Sequence, residues 1–217
     1  MTEQEIIEAA TQEIDLKSWG VTEQFLKIHS LVFQDGKPII TRIDRDYPDG
    51  SAIVYFPVHG EKFHLAITVA ANPILSVIGI EAQPYTSVYF QASSDTLDLG
   101  QLSALTQLKP TSGWNKGEKR GLGSAFHRVS CIRFEPNPEP DAFEDKMGKL
   151  LKYLESDAEG VKRLVVAAEG YIQAAMIFHN GNTMLGGAAI GKETLKRMAD
   201  LDLAIDFDLY AEGKFYR

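Results

Sequence analysis

The sequence predicts an α+β protein, with a mixed or mainly antiparallel sheet, helices on one face, and N-terminal helices plus a β-meander packed against it. Three observations carry this expectation. Apolar residues recur at helical spacing in some segments and alternate in others, and the two kinds interleave after residue 84. Before that point, turn pairs such as Asp35-Gly36 and Asp49-Gly50 punctuate short apolar runs. Asn180-Gly181, set between two apolar runs, signals a hairpin and therefore antiparallel pairing.

Taken in order, Thr2 is placed to cap a first helix, and Glu5 completes a capping box. Ile6, Ile7, Ala10 and Ile14 form its apolar stripe. A second short helix is predicted over 22–26. Strands are predicted over 28–34, 37–43, 51–57, 62–70 and 74–81, with His59-Gly60 and Asn72-Pro73 as further turns. Pro57 has no amide hydrogen, so it should end its strand or sit at an edge. After Pro84, Val88, Phe90 and Ala92 alternate with Ser87, Tyr89 and Gln91, which predicts a half-buried strand. Asp98 can cap a helix carrying Leu102, Leu105 and Leu108, which Pro110 stops. A Gly-rich loop over 111–124 and a strand over 127–134 follow. The Pro-rich link 135–140 leads into a helix with Phe143, Met147, Leu150, Leu151 and Leu154 on one face. A short helix is predicted over 158–165, and strands over 171–178 and 183–190 flank Asn180-Gly181. The helix from Lys192 should turn Leu195, Met198 and Ala199 inward, and a last strand covers 203–210. Residues 1–83 read as helices and meander, and 84–217 as an α+β module. The link 81–84 is too short for a flexible tether, so a large shared interface, or one continuous unit, is expected.

The composition is that of a packed globular chain, with 44% hydrophobic and 24% charged residues. Its net charge of −8 disfavours general nucleic-acid binding, which relies on cations to displace counterions. Residues 1–84 hold 12 acids against 6 bases, so most of the acidic surplus lies there. That surplus serves solubility or offers an acidic face to a basic partner. The single cysteine, Cys131, excludes an internal disulfide and fits a reducing compartment. The opening Met-Thr-Glu-Gln-Glu is not a secretory signal. No run approaches the ~18 apolar residues that would span a bilayer. A cytoplasmic protein with no membrane partner is expected.

Several segments together resemble a known family. They are the strand Ser87-Val-Tyr-Phe-Gln-Ala-Ser, the helix 99–108, Lys109-Pro-Thr, and the loop Trp114-Asn-Lys-Gly-Glu118. With the closing helix 192–201 and Asp206-Phe-Asp-Leu-Tyr210, they resemble a bacterial domain of unknown function, number 4279, over about residues 85–214. Residues 51–83 look like an extension that some members carry. The family has no established activity, so the resemblance implies no catalytic residue and no cofactor. By analogy with small proteins of this kind, it implies an immunity-type or partner-neutralising role.

The most distinctive segment is Gly113-Trp-Asn-Lys-Gly-Glu-Lys-Arg-Gly-Leu-Gly123. Lys116, Lys119 and Arg120, with Arg128 nearby, concentrate positive charge in an acidic chain. The glycines allow backbone amides to approach an anion. No Lys-Ser/Thr pair follows them, so this is not a P-loop. The loop is either a structural element, with Trp114 plugging core or groove and Gly117 at positive φ, or a surface for an anion or acidic partner. The five histidines, His29, His59, His64, His127 and His179, show no chelating spacing on one element, and no metal site is expected. Asp206 and Asp208 share a strand face about 7 Å apart, as paired acids or as simple edge solvation. Cys131 sits among apolar residues with no adjacent cation, as an inert thiol does. Trp19, Tyr47, Tyr85 and Tyr89 lie near turns or outer faces, either at an interface or packed between the halves. The leading expectation is a non-enzymatic bacterial interaction protein, possible partners being basic or toxin-like proteins. An anion- or ligand-binding domain using 113–123 is the alternative, and a hydrolase or transferase comes last.

Overall fold

The computed structural model describes residues 1–71, 74–121, 123–181 and 187–215. Their fold is α+β, and the chain divides into two compact units. The first gathers Met1–Tyr85, Met176–Gly186 and Leu209–Arg217; the second comprises Thr86–Ala175 and Gly187–Asp208.

The first unit opens on α1 (Glu3–Leu16), where the expected capping box forms: Thr2 accepts from the Glu5 amide, and Glu5 accepts from that of Thr2. Ile6, Ala10 and Ile14 are buried along its stripe. Helix α2 (Gly20–Ile28) is longer than predicted. It is tied to α1 through the buried Glu13, which accepts hydrogen bonds from Ser18 Oγ, Thr22 Oγ1 and the Trp19 amide. Burial raises the Glu13 pKa, and these donors more than offset it, leaving the carboxyl below its ordinary value.

Next come β1 (Phe33–Gln34), β2 (Lys37–Pro38), β3 (Arg42–Asp44), β4 (Ala52–Pro57), β5 (His64–Ala71) and β6 (Leu75–Gln83). The predicted strands 28–34 and 37–43 are corrected to these short pieces. Residue 28 still belongs to α2, and Asp35-Gly36, both at positive φ, close a two-stranded ribbon too small to extend. Strands β3 to β6 form the expected meander, all antiparallel. Pro57 ends β4 as expected. The Asn72-Pro73 turn lies outside the described residues. Val54, Phe56, Leu65 and Ile67 are buried in one core with Ile6, Ala10 and Phe25.

The second unit takes up the chain with β7 (Tyr85–Ser94), α3 (Leu99–Ala104), β8 (Ser112–Trp114), β9 (Ser130–Phe134), α4 (Phe143–Glu155), α5 (Ala158–Ala168), β10 (Tyr171–His179), α6 (Lys192–Asp200) and β11 (Ile205–Glu212). Strands β10 and β11 start in this unit and end in the first. The five-stranded order is β11-β10-β7-β9-β8. Strand β9 runs antiparallel to both β7 and β8. From Val88 on, strand β7 alternates as predicted, with Val88, Phe90 and Ala92 buried, but Ser87, expected outward, is buried too.

Three expectations are corrected here. Residues 187–190 are not a strand, and 182–186 lie outside the described residues. Helix α6 buries Met198 but leaves Leu195 and Ala199 exposed. Helix α3 ends at Ala104, well before Pro110, and β8 had no clear alternating signal at all.

A buried polar network secures the loop into α4. Asp141 is fully buried and accepts from Asn137 Nδ2 (2.6 Å), Lys149 Nζ (2.6 Å) and the Ala142 amide (3.1 Å). Lys146, also buried, donates to the carbonyls of Asn137 and Glu139.

Candidate functional site

The Gly-rich loop folds as an irregular hairpin joining β8 to β9. The Gly117 amide donates to His127 O (2.8 Å), the His127 amide to Glu118 O (2.8 Å), and the Arg120 amide to Ala125 O (2.8 Å). Lys119 and Phe126 pair directly across it. Gly117, at φ 84°, makes the turn that its sequence position predicted. Asn115 locks the base, accepting from the Leu99 amide at the start of α3 and donating to Glu118. That donation from Asn115 holds the Glu118 carboxyl below its ordinary pKa.

The predicted site residues separate into two groups. Trp114 is half-buried and stacks on His127, with ring centroids 4.5 Å apart and planes 23° apart. Arg133 lies 5.5 Å from the Trp114 ring centre and 3.9 Å from that of Tyr89. Its Nη2 donates to Gln91 Oε1, and its Nε is buried with no hydrogen-bond partner among the described residues. Burial pushes the Tyr89 hydroxyl up in pKa, while Arg133 acts in the opposite direction. Lys116, Lys119, Arg120 and Arg128 are all exposed, as is Phe126 at 60%. Sequence reasoning did not find Phe126, His127, Tyr89 and Arg133 as members of one surface. Tyr89 and Arg133 did carry the signal of an outward position between buried neighbours, but only the register Gln91↔Arg133 and Trp114↔Cys131 brings them beside the tryptophan.

A cleft of about 490 Å³ lies beside the hairpin base, with Lys116 on its wall and neither Trp114 nor Arg120. Asp95 and Asp98 share that wall. The Lys116 ammonium already donates to the Asp95 carbonyl (3.0 Å). Gly113 sits where β8 presses on α3. A Cβ there would fall 2.5 Å from Leu99 Cδ1 and 2.8 Å from the Cys131 carbonyl. Leu99 can shift but the carbonyl cannot. Gly113→Ala is therefore expected to cost about 1–3 kcal/mol, read as a lower urea midpoint.

The other candidates lie on strands outside the hairpin. Asp206 and Asp208 are exposed on β11. Cys131 is buried, and burial raises its thiol pKa to about 11, so it is not a thiolate near neutrality. Among the described residues no group of three His, Cys, Asp or Glu side chains could hold a metal ion. No described helix is long and apolar enough to cross a membrane.

Comparison with curated proteins and with solved structures finds no match to either. Residues 83–212 match the family described as Domain of unknown function (DUF4279). They take in β7, the Trp114 hairpin, helices α3 to α6 and the closing strand, and on that match the chain belongs to this family.

Proposed function

We propose that the chain acts by binding another protein rather than by catalysis, in the manner of a bacterial cytoplasmic immunity protein that masks a toxic partner. The observation that supports this reading is the presentation of Phe126. It is a large exposed aromatic paired with Lys119, close to Arg120 and Arg128, on a hairpin braced by the Trp114–His127 stack. Aromatic and arginine side chains held in a fixed geometry are the groups that dominate protein–protein affinity. The cations select a partner surface rich in carboxylates.

The test is affinity capture from the native host, with the wild-type chain beside a Lys119→Ala, Arg120→Ala, Phe126→Ala variant. All three side chains are exposed, so the variant is expected to keep its circular dichroism spectrum and urea midpoint. The reading expects a discrete protein that the wild type retains and the variant binds at least about tenfold more weakly. Capture of no protein, or equal capture by both forms, overturns it. Binding of inorganic phosphate that disappears in the variant would instead favour a small-anion site.

A further inference from the structure

The four-stranded sheet stops at β6. Among the described residues, β6 has β5 on one side and no strand on the other. All nine of its residues are at least partly exposed. Such an edge presents a row of backbone N–H and C=O groups to any strand that can reach it. Natural edges are blunted by charged side chains, above all lysine, and by proline, bulges or shortness; β6 has no lysine or proline, runs nine residues, and carries Glu81 as its one charge. Its one irregularity is at Ile78, the extra residue between Val77 and Gly79 in the pairing with β5.

A second feature lies on the same edge. A cleft of about 300 Å³ opens beside Leu75 and Val77, walled on the helix side by Glu13, Leu16 and Trp19. Leu16 is 66% exposed and Trp19 39%, so apolar walls stand open to water. Side chains on a strand point alternately to the two faces. A strand laid along β6 therefore sends every second side chain toward the helices, where the cleft is. In strand addition, main-chain bonds supply affinity and such pockets select the alternate side chains.

Charge decides the occupant. Helix α1, which packs on β6, carries Glu3, Glu5, Glu8, Glu13 and Asp15 and no lysine or arginine. A second copy joining edge to edge would bring two such helices to the same side of the seam, against like-charge repulsion. A segment alternating cationic and apolar residues meets attraction instead. We propose that β6 is a docking edge for an extended basic segment of another protein. That segment adds a strand to the sheet and sets an apolar side chain between Leu16, Trp19 and Val77. The edge residues Leu75–Ala82 precede the family-matched segment, and the hairpin takes no part, so failure here and failure of the hairpin proposal are told apart.

The test titrates three labelled peptides against the full chain by fluorescence anisotropy. One alternates lysine and leucine, one alternates glutamate and leucine, and the third is the lysine peptide methylated on alternate backbone nitrogens. The lysine peptide is expected to bind and to slow amide exchange in β6. The other two should bind at least about tenfold more weakly. Leu16→Ala with Trp19→Ala, and separately Ser76→Lys with Ile78→Lys, change exposed side chains and should each weaken the lysine peptide at least about fivefold. Equal binding of the methylated peptide would mean ionic adhesion only and would overturn the proposal. So would equal binding of the glutamate peptide, indifference to both variants, or no binding at all.

Discussion

Asp141→Ala is expected to lower the unfolding free energy by about 2–3 kcal/mol, the cost of taking a charged acceptor away from buried donors. The carboxylate has no exposed surface and gathers Asn137, Lys149 and the Ala142 amide around itself. Lys149 is about half exposed and can return to water. Lys146 cannot, because it is 1% exposed and held by carbonyls of the same loop that Asp141 secures. Removing the carboxylate takes the shared acceptor from Asn137, Lys149 and the Ala142 amide and loosens the loop around the buried Lys146. Asp141→Asn keeps the shape and part of the hydrogen bonding, so about half the loss is expected. Urea denaturation followed by tryptophan fluorescence measures both variants. A shift below about 1 kcal/mol for Asp141→Ala would show that the loop is held by other contacts.

Acid should destabilise the first unit through His29. Its Nε2 lies 2.8 Å from Nε2 of His179, and both rings are buried with those of Phe25 and Phe63. Burial first, then the neighbouring His179 and Lys214, lower the His29 pKa from 6.5 to about 4. A Glu61 carboxylate oxygen lies 3.9 Å from Nδ1. Between those two values the unfolded chain takes up a proton that the folded chain refuses. Stability is therefore complete above pH 6.5 and falls as the pH drops toward 4, by up to about 3 kcal/mol. The lowered carboxylates, Glu13 and Asp157 among them, begin to lose their contributions about a unit above their ordinary values of 4.5 and 3.8, so the interval from about 5.5 to 6.5 reports on histidine. Burial also lowers the His64 pKa, which adds a slope of the same sign. Replacing both rings, His29→Phe with His179→Phe, should therefore flatten the pH dependence without abolishing it. Wild-type unfolding that is flat across this interval would rule the pair out as a source of acid sensitivity.

The two results mark where the sequence was legible. Thr2 with Glu5, Asp98 at its helix and Pro57 at its strand end all act within a few residues, so reading along the chain found them. Lys116, Lys119, Arg120 and Arg128 could be grouped for the same reason, being close in sequence. Long-range pairing was not. His29 meets His179 across 150 residues, with no spacing rule to pair them. Trp114 reads as a loop residue until β9 lies beside it. Asn180-Gly181 has the local chemistry of a hairpin, but residues 187–190 of the strand predicted to follow it form no strand. Leu195 lies on the apolar stripe of its helix yet is 52% exposed, because periodicity gives a direction and not the extent of the surface that meets it.

The first unit's assembly from three stretches of chain has a consequence for biosynthesis. A ribosome adds roughly 5–20 residues per second. His179 follows His29 by 150 positions, and Lys214, whose ammonium caps the Ile28 carbonyl, follows that residue by 186. The earliest-made segment thus waits roughly 8–30 s for the ring that closes against His29. During that interval Phe25, Phe63 and His29 form a nascent core still lacking one of its four rings, and emergence of the stretch Leu209–Arg217, rather than of the first 85 residues, sets the moment at which this unit can become native.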